Sequence, residues 1–175
     1  MKNKRLSKDD WIAAGFHALI DHGPAALKAE ALARTLDTTK GSFYWHFKDV
    51  PAFHTHMLTH WEQQALNGLV AEIETKDTAV ATLQRFVQSS KGNTNSAAVR
   101  AWARTDTSVA KAVAHIDKAR LKYLTTLLKR CGVGNPDLAC ALYAAMVGIE
   151  TLPDNDETLG KNALTSLVDL ILALR

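Results

Sequence analysis

Residues 38–47 read TTKGSFYWHF and hold four of the chain's twelve Phe, Tyr and Trp residues in five positions. Thr38-Thr39 offers a hydroxyl of the kind that caps a helix N-terminus, so a helix running to Phe47 is expected. On that helix Phe43 and Phe47 are four apart and share one face. The face continues the apolar set of the preceding helices and is expected to be core. Trp45 then points to the opposite side, with Gly41 and Lys48 near it. Lys40 and Tyr44 share a neighbouring stripe, as do Ser42 and His46. The outward face combines hydrogen-bond donors, amphipathic rings and one glycine, and large aromatics on a polar face call for a partner surface.

The flanking segments are also helical. Upstream, Trp11, Ala14, Leu19 and Ile20 lie near one face of a helix that His22-Gly23-Pro24 stops. Ala29 to Leu36 makes a short second helix with Leu32, Ala33 and Leu36 inward. The aromatic stretch is the third. Asp49 and Pro51 open a long fourth helix, which runs through Trp61 to about Glu74. Asp77 or Thr78 caps a fifth that ends near Gly92, and Asn95 or Ser96 opens a short sixth with Val99 and Trp102. Asp106 caps a seventh, which carries Val109, Val113, Ile116, Leu124 and Leu127 at helical spacing and stops at Gly132 or Gly134. Asn135-Pro136 starts an eighth, followed by Pro153. Asp156 starts a ninth, on which Leu159, Ala163, Leu167, Leu170, Ile171 and Leu174 form one apolar stripe. No run alternates as a strand does, and no internal repeat is present. The expected class is all-α with about nine helices. Three short ones make a helix-turn-helix unit over residues 1–48, and a larger helical body follows over 49–175.

Composition narrows the function classes. The 175 residues are 47% apolar and 22% charged, which is ordinary for a soluble globular protein. A chain of this length can bury roughly 70% of its unfolded surface. The net charge of +3 permits a nucleic-acid partner without demanding one. Cys131 and Cys140 form no CxxC pair and read as two small buried hydrophobes in a reducing compartment. MKNKRLSKDD has no apolar run after its charges, so no signal peptide is expected. No stretch is long enough to span a membrane, and a cytoplasmic protein with no membrane partner is expected. There is no GxSxG, P-loop, GxGxxG or suitably spaced acid pair, so neither catalysis nor a cofactor is expected.

Six of the seven histidines lie in the first sixty residues. His56 and His60 are four apart on the fourth helix with His54 close by. Without an HExxH pattern or a nearby cysteine they read as solvated surface residues, not as a metal site. Lys2, Lys4 and Arg5 read either as a solvated tail or as a minor-groove arm. Arg100, Arg104, Asp106, Asp117 and Arg120 read as salt bridges between helices six and seven.

The segment from about Leu6 to Trp61 resembles the N-terminal domain of the TetR/AcrR family of transcriptional regulators. LARTLDTTKGSFYWHFKD (residues 32–49) is similar to that family's turn, recognition helix and start of helix four. The resemblance implies DNA contacts from Lys28, Thr38, Thr39, Lys40, Gly41, Ser42, Tyr44, Trp45, His46 and Lys48. The chemistry suits those places: hydroxyls and lysines for phosphates, a bare Gly41 for close approach, and the Trp45 ring for a thymine methyl. Four positions depart from the family pattern. Lys28 opens helix two where Ser or Thr is usual, and Asp37 fills the turn position of a glycine, tolerating the left-handed conformation better than most residues. Thr38 replaces a small apolar residue. Val50 replaces a phosphate-binding lysine, for which Lys48 can substitute.

The resemblance further implies a homodimeric repressor on a palindromic double-stranded operator, with a small effector in the body. Trp61, Phe86, Trp102, Tyr123, Tyr143 and Met146 are the expected effector-pocket residues. With no dense charge cluster among them, the effector is expected to be apolar or aromatic. Helices eight and nine are expected to pair across a two-fold axis. Ala141, Ala145 and Gly148 allow close approach there, and Leu167, Leu170, Ile171 and Leu174 supply apolar surface. Lys28, Thr38 and Val50 keep a second reading open, a helical small-molecule- or metal-binding protein that has lost DNA reading.

Overall fold

The computed structural model describes residues 6–73, 77–89, 94–152 and 157–173. Among the described residues there are nine α-helices and no strand. The helices are α1 (Lys8–His22), α2 (Ala29–Thr35), α3 (Lys40–His46), α4 (Val50–Ile73), α5 (Ala79–Ser89), α6 (Thr94–Trp102), α7 (Thr107–Arg130), α8 (Pro136–Thr151) and α9 (Glu157–Leu172), with a single 3-10 turn (Pro24–Ala26) after α1.

Six of the helix starts follow from a side chain that takes up orphan backbone donors. Ser7 and Asp10 form a reciprocal capping box at α1: the Asp10 amide donates to Ser7 Oγ at 3.2 Å and the Ser7 amide to the Asp10 carboxylate at 2.7 Å. Thr39 caps α3, accepting from the Ser42 amide at 3.3 Å. Asp49 accepts from the Ala52 amide at 2.7 Å, and Thr78 from that of Ala81 at 3.2 Å. Asp106 accepts from the amides of Ser108 and Val109 at 2.8 and 3.2 Å. Asn135 accepts from the Asp137 amide at 2.9 Å, just ahead of Pro136. Gly23 ends α1 with φ +72°, a value that side-chain-bearing residues avoid. The expected boundary residues Glu74, Gly92, Pro153 and Asp156 lie outside the described residues, as do Lys2, Lys4, Arg5 and Leu174.

The chain forms two compact units, one from residues 1–64 and 98–113, the other from 65–97 and 114–175. The core of the first is aromatic. Trp11 of α1 meets Phe43 of α3 edge-on at 5.3 Å, Phe53 of α4 meets Phe43 at 5.3 Å, and Phe47 meets Phe53 at 4.9 Å. All four rings are buried. Gly15 of α1 is what allows α4 so close. A Cβ there would sit 2.6 Å from Phe53 Cζ and 2.7 Å from Met57 Sδ. The core of the second unit is mainly aliphatic: Leu83 and Val87 of α5, Leu124, Leu127 and Leu128 of α7, Leu142 and Met146 of α8, and Leu164, Val168 and Ile171 of α9.

Three sequence expectations need correction. Ile20 is exposed although Leu19 is buried; successive helical residues sit about 100° apart, and the inward face is centred on Trp11, Ile12, Phe16 and Leu19. Cys131 is buried but Cys140 is exposed, on the outer side of α8. On α9 the buried stripe is Leu164, Val168 and Ile171, whereas Ala163 and Leu170 face outward and Leu167 is half-buried. The helix therefore carries two apolar stripes instead of one.

Candidate nucleic-acid interface

The turn that sets α3 against α2 begins at Asp37, whose φ of +49° is in the left-handed region. The Thr38 amide donates to the Ala33 carbonyl at 2.9 Å, so the turn is held from within. The two faces of α3 then part sharply. Phe43 is 0% exposed and Phe47, just past the helix, 2%, while Tyr44 is 46% exposed and Trp45 81%.

Two grooves flank this exposed face. The first, about 580 Å³, is lined by Thr39, Gly41, Ser42, Trp45 and His46 together with Leu6. A Cβ on Gly41 would meet nothing closer than Thr39 Oγ1 at 3.6 Å, so the backbone there is open to a partner. The second groove, about 370 Å³, lies between α2 and α3 and is lined by Lys28, Ala29, Glu30, Ala31, Arg34, Lys40, Tyr44 and Val50. Nine of the ten expected DNA-contacting residues therefore line these grooves or a smaller neighbour, lined by Glu30, Ala33, Arg34, Asp37, Thr38 and Lys40. The tenth, Lys48, is exposed but lines none of the three. The cations that line the groove with Val50 are Lys28, Arg34 and Lys40.

Sequence reasoning missed Leu6, Glu30 and Arg34. The last two could have been found as a pair four apart on the polar side of α2. Lys28 opens α2 without a side-chain cap, since its ammonium is a donor only and cannot accept from the free amides. Lys40 Nζ lies 6.0 Å from the Tyr44 ring centroid, and Lys8 Nζ is 2.9 Å from His56 Nε2 and 5.5 Å from the Phe47 ring centroid.

His54 of α4 lies on the same unit. Its ring stands edge-on to Trp102 at 5.0 Å, and Nε2 donates to the Leu27 carbonyl at 3.3 Å. Burial pushes its pKa below the ordinary histidine value, while the Leu27 carbonyl and Asp106 pull the other way. Among the described residues no group of three or more His, Cys, Asp or Glu could hold a metal ion. No described helix is long and apolar enough to cross a membrane.

The other expected site residues fall in both units. Trp61 and Trp102 are buried in the first, and Phe86, Tyr123, Tyr143 and Met146 belong to the second. Phe86 meets Tyr123 edge-on at 5.1 Å, and the Tyr143 hydroxyl donates to Asp117 at 2.8 Å. On the expected dimer face Ala141 and Gly148 are exposed, Ala145 and Leu167 are half-buried, and Leu170 is 61% exposed. Ile171 is buried in the core of its own protomer, because it sits on the inner stripe of α9, and is not a surface residue.

Comparison with known proteins bears on the N-terminal segment and on the fold. Residues 12–49 match the family model of the bacterial regulatory proteins of the tetR family. A comparison with curated protein sequences gives no match. Three solved structures share the fold. A TetR-family transcriptional regulator from Rhodococcus sp. superposes with a TM-score of 0.78 at 16% identity, covering 97% of this chain and 100% of that one. A transcriptional regulator from Rhodococcus sp. Rha1 gives 0.77 at 20% identity, with coverage of 96% and 97%. A transcriptional regulator from Saccharomonospora viridis, in complex with choline, gives 0.73 at 16% identity, with coverage of 93% and 95%. The N-terminal segment of the chain is thus similar to the DNA-binding part of the tetR family, and the chain as a whole shares its fold with solved transcriptional regulators.

Proposed function

We propose that this chain is a cytoplasmic homodimeric repressor that reads a palindromic operator through α3 and releases it when a small effector binds the helical body. In this reading residues 1–48 read DNA, and residues 49–175 hold the effector and the partner protomer. The observation that carries it is the outward face of α3. A tryptophan 81% exposed stands above a groove of hydroxyls and an open glycine. A solitary protein gains nothing by leaving an indole in water. A duplex major groove offers it thymine methyls and offers the hydroxyls phosphate and base-edge acceptors.

The outer stripe of α9 supports the dimer. Ala163, Leu167 and Leu170 lie on it, and α8 exposes Ala141 and Gly148. Small residues on one helix and leucines on the other make a self-complementary four-helix seam under two-fold symmetry. The aromatic and sulfur side chains Phe86, Tyr123, Tyr143 and Met146 support an effector that is mainly apolar or aromatic. The choline complex of the Saccharomonospora viridis protein adds that a regulator of this fold can take a small organic molecule. A 100-fold loss of operator affinity needs about 2.7 kcal/mol of coupling, within the usual allosteric range.

The test is a gel shift against the DNA flanking the chain's own gene, followed by thermal-shift screening of small aromatic and lipophilic compounds and operator release by the hits. Retarded DNA that the hits release is the expected result. Retardation that no hit reverses removes the effector, and no retardation removes the operator.

A further inference from the structure

Glu30 and Arg34 are four apart on α2 and both exposed. With Lys40 of α3 they line two adjoining grooves, of about 370 and 360 Å³. Neither side chain makes an ion pair or hydrogen bond among the described residues. The surrounding cations, Lys28, Arg34 and Lys40, suit a phosphate backbone.

The carboxylate of Glu30 does not suit one. It repels the polyanion that its neighbours attract, and it would weaken every complex equally if it met only phosphates. The major groove contains one kind of group that rewards a carboxylate, the exocyclic amino donor, and the usual acceptor–donor match is Glu or Asp with cytosine N4. Guanine and thymine present only acceptors at the corresponding edge and are repelled. Tyr44, on the same groove and on the reading helix, puts Glu30 beside the bases that α3 addresses.

We propose that Glu30 is a specificity-determining residue, accepting a hydrogen bond from cytosine N4 at an operator position beside those read by α3, with Arg34 and Lys40 on the adjoining phosphates. The inference rests on the DNA reading proposed above.

Selection from a randomised duplex library with the wild type, Glu30→Gln and Glu30→Ala, scored by sequencing, tests it. Circular dichroism of each variant should match the wild type, since Glu30 is exposed. The wild type should enrich cytosine at one position in each half-site, by roughly tenfold or more. Both variants should lose that preference and keep the others, and Glu30→Gln should move it toward adenine, which a glutamine amide pairs in bidentate fashion. If the variants bind every sequence more tightly with base preferences unchanged, Glu30 is only an electrostatic brake and the inference falls while DNA reading stands. If the wild type itself enriches no sequence, the DNA reading falls first.

Discussion

α3 and α9 solve the same packing problem and leave opposite residues. Each buries one apolar face in its own unit, and each leaves a large apolar side chain in water, Trp45 on one and Leu170 on the other. Exposure alone does not separate them. Their neighbours do. Around Trp45 stand Thr39, Ser42 and His46, donors and acceptors that want polar partners. Beside Leu170 on the outer side of α9 stand Leu167 and Ala163, which want apolar ones. A lone indole among donors suits nucleic acid, whose edges are polar with scattered methyls. A leucine in an apolar stripe suits another helix.

The sharpest way to break this contrast is within α3. Phe43→Ala removes a ring locked among Trp11, Phe47 and Phe53 and should destabilise the protein by about 3–5 kcal/mol. Trp45→Ala should leave the melting temperature nearly unchanged and abolish specific DNA binding. Thermal melts and gel shifts on the pair check it; a Trp45→Ala protein that unfolds would show the indole to be structural. Next in size is the seam. Leu170→Glu places a charge on the outer stripe, and light scattering should then find monomer or aggregate in place of the dimer expected of the wild type. A monomeric wild type at micromolar concentration would leave α9's outer stripe without its proposed partner.

The smallest effect belongs to His54 and touches only the first unit. Burial lowers its pKa in the folded protein, so the unfolded chain binds the extra proton more readily. The stability that His54 contributes as a neutral group is present above its ordinary unfolded value and is lost as pH falls through that value toward the lower folded one. Melts between about pH 7.5 and pH 5.5, spanning the unperturbed histidine value, should decline more steeply for the wild type than for His54→Gln. Equal slopes would mean that the ring carries no such stability.

Much of the first unit could be read from the sequence because its signals are local. Thr39, Asp49 and Asp106 are caps that work within three residues of themselves, as Asn135 is in the second unit. Phe43 and Phe47 are separated from Trp45 by angle alone, with polar residues marking the outer side. Asp37 takes the left-handed conformation that the turn requires. On α9 the same method misassigned the register. Leu164, Leu167, Val168, Leu170 and Ile171 surround much of the helix, so periodicity admits two stripes, and only the packing of α5, α7 and α8 decides which is inside. Cys140 and Ile20 were misplaced for the same reason, since apolar character does not say which side a neighbour occupies. The groove holding Glu30 and Arg34 went unread for a different one: their spacing of four marks a polar face of α2, but the groove exists only where helices meet.

Gly15 has a mechanical consequence. Bare backbone of α1 bears on the tips of Phe53 and Met57, and both of those residues are fully buried. Phe53 also touches Phe43, and Trp11 clamps Phe43 from the far side. There is no slack in this train, because close-packed interiors transmit displacement instead of absorbing it. A push on the first turns of α4 is therefore expected to carry α1 and α3 with it in place of local bending between α4 and α3.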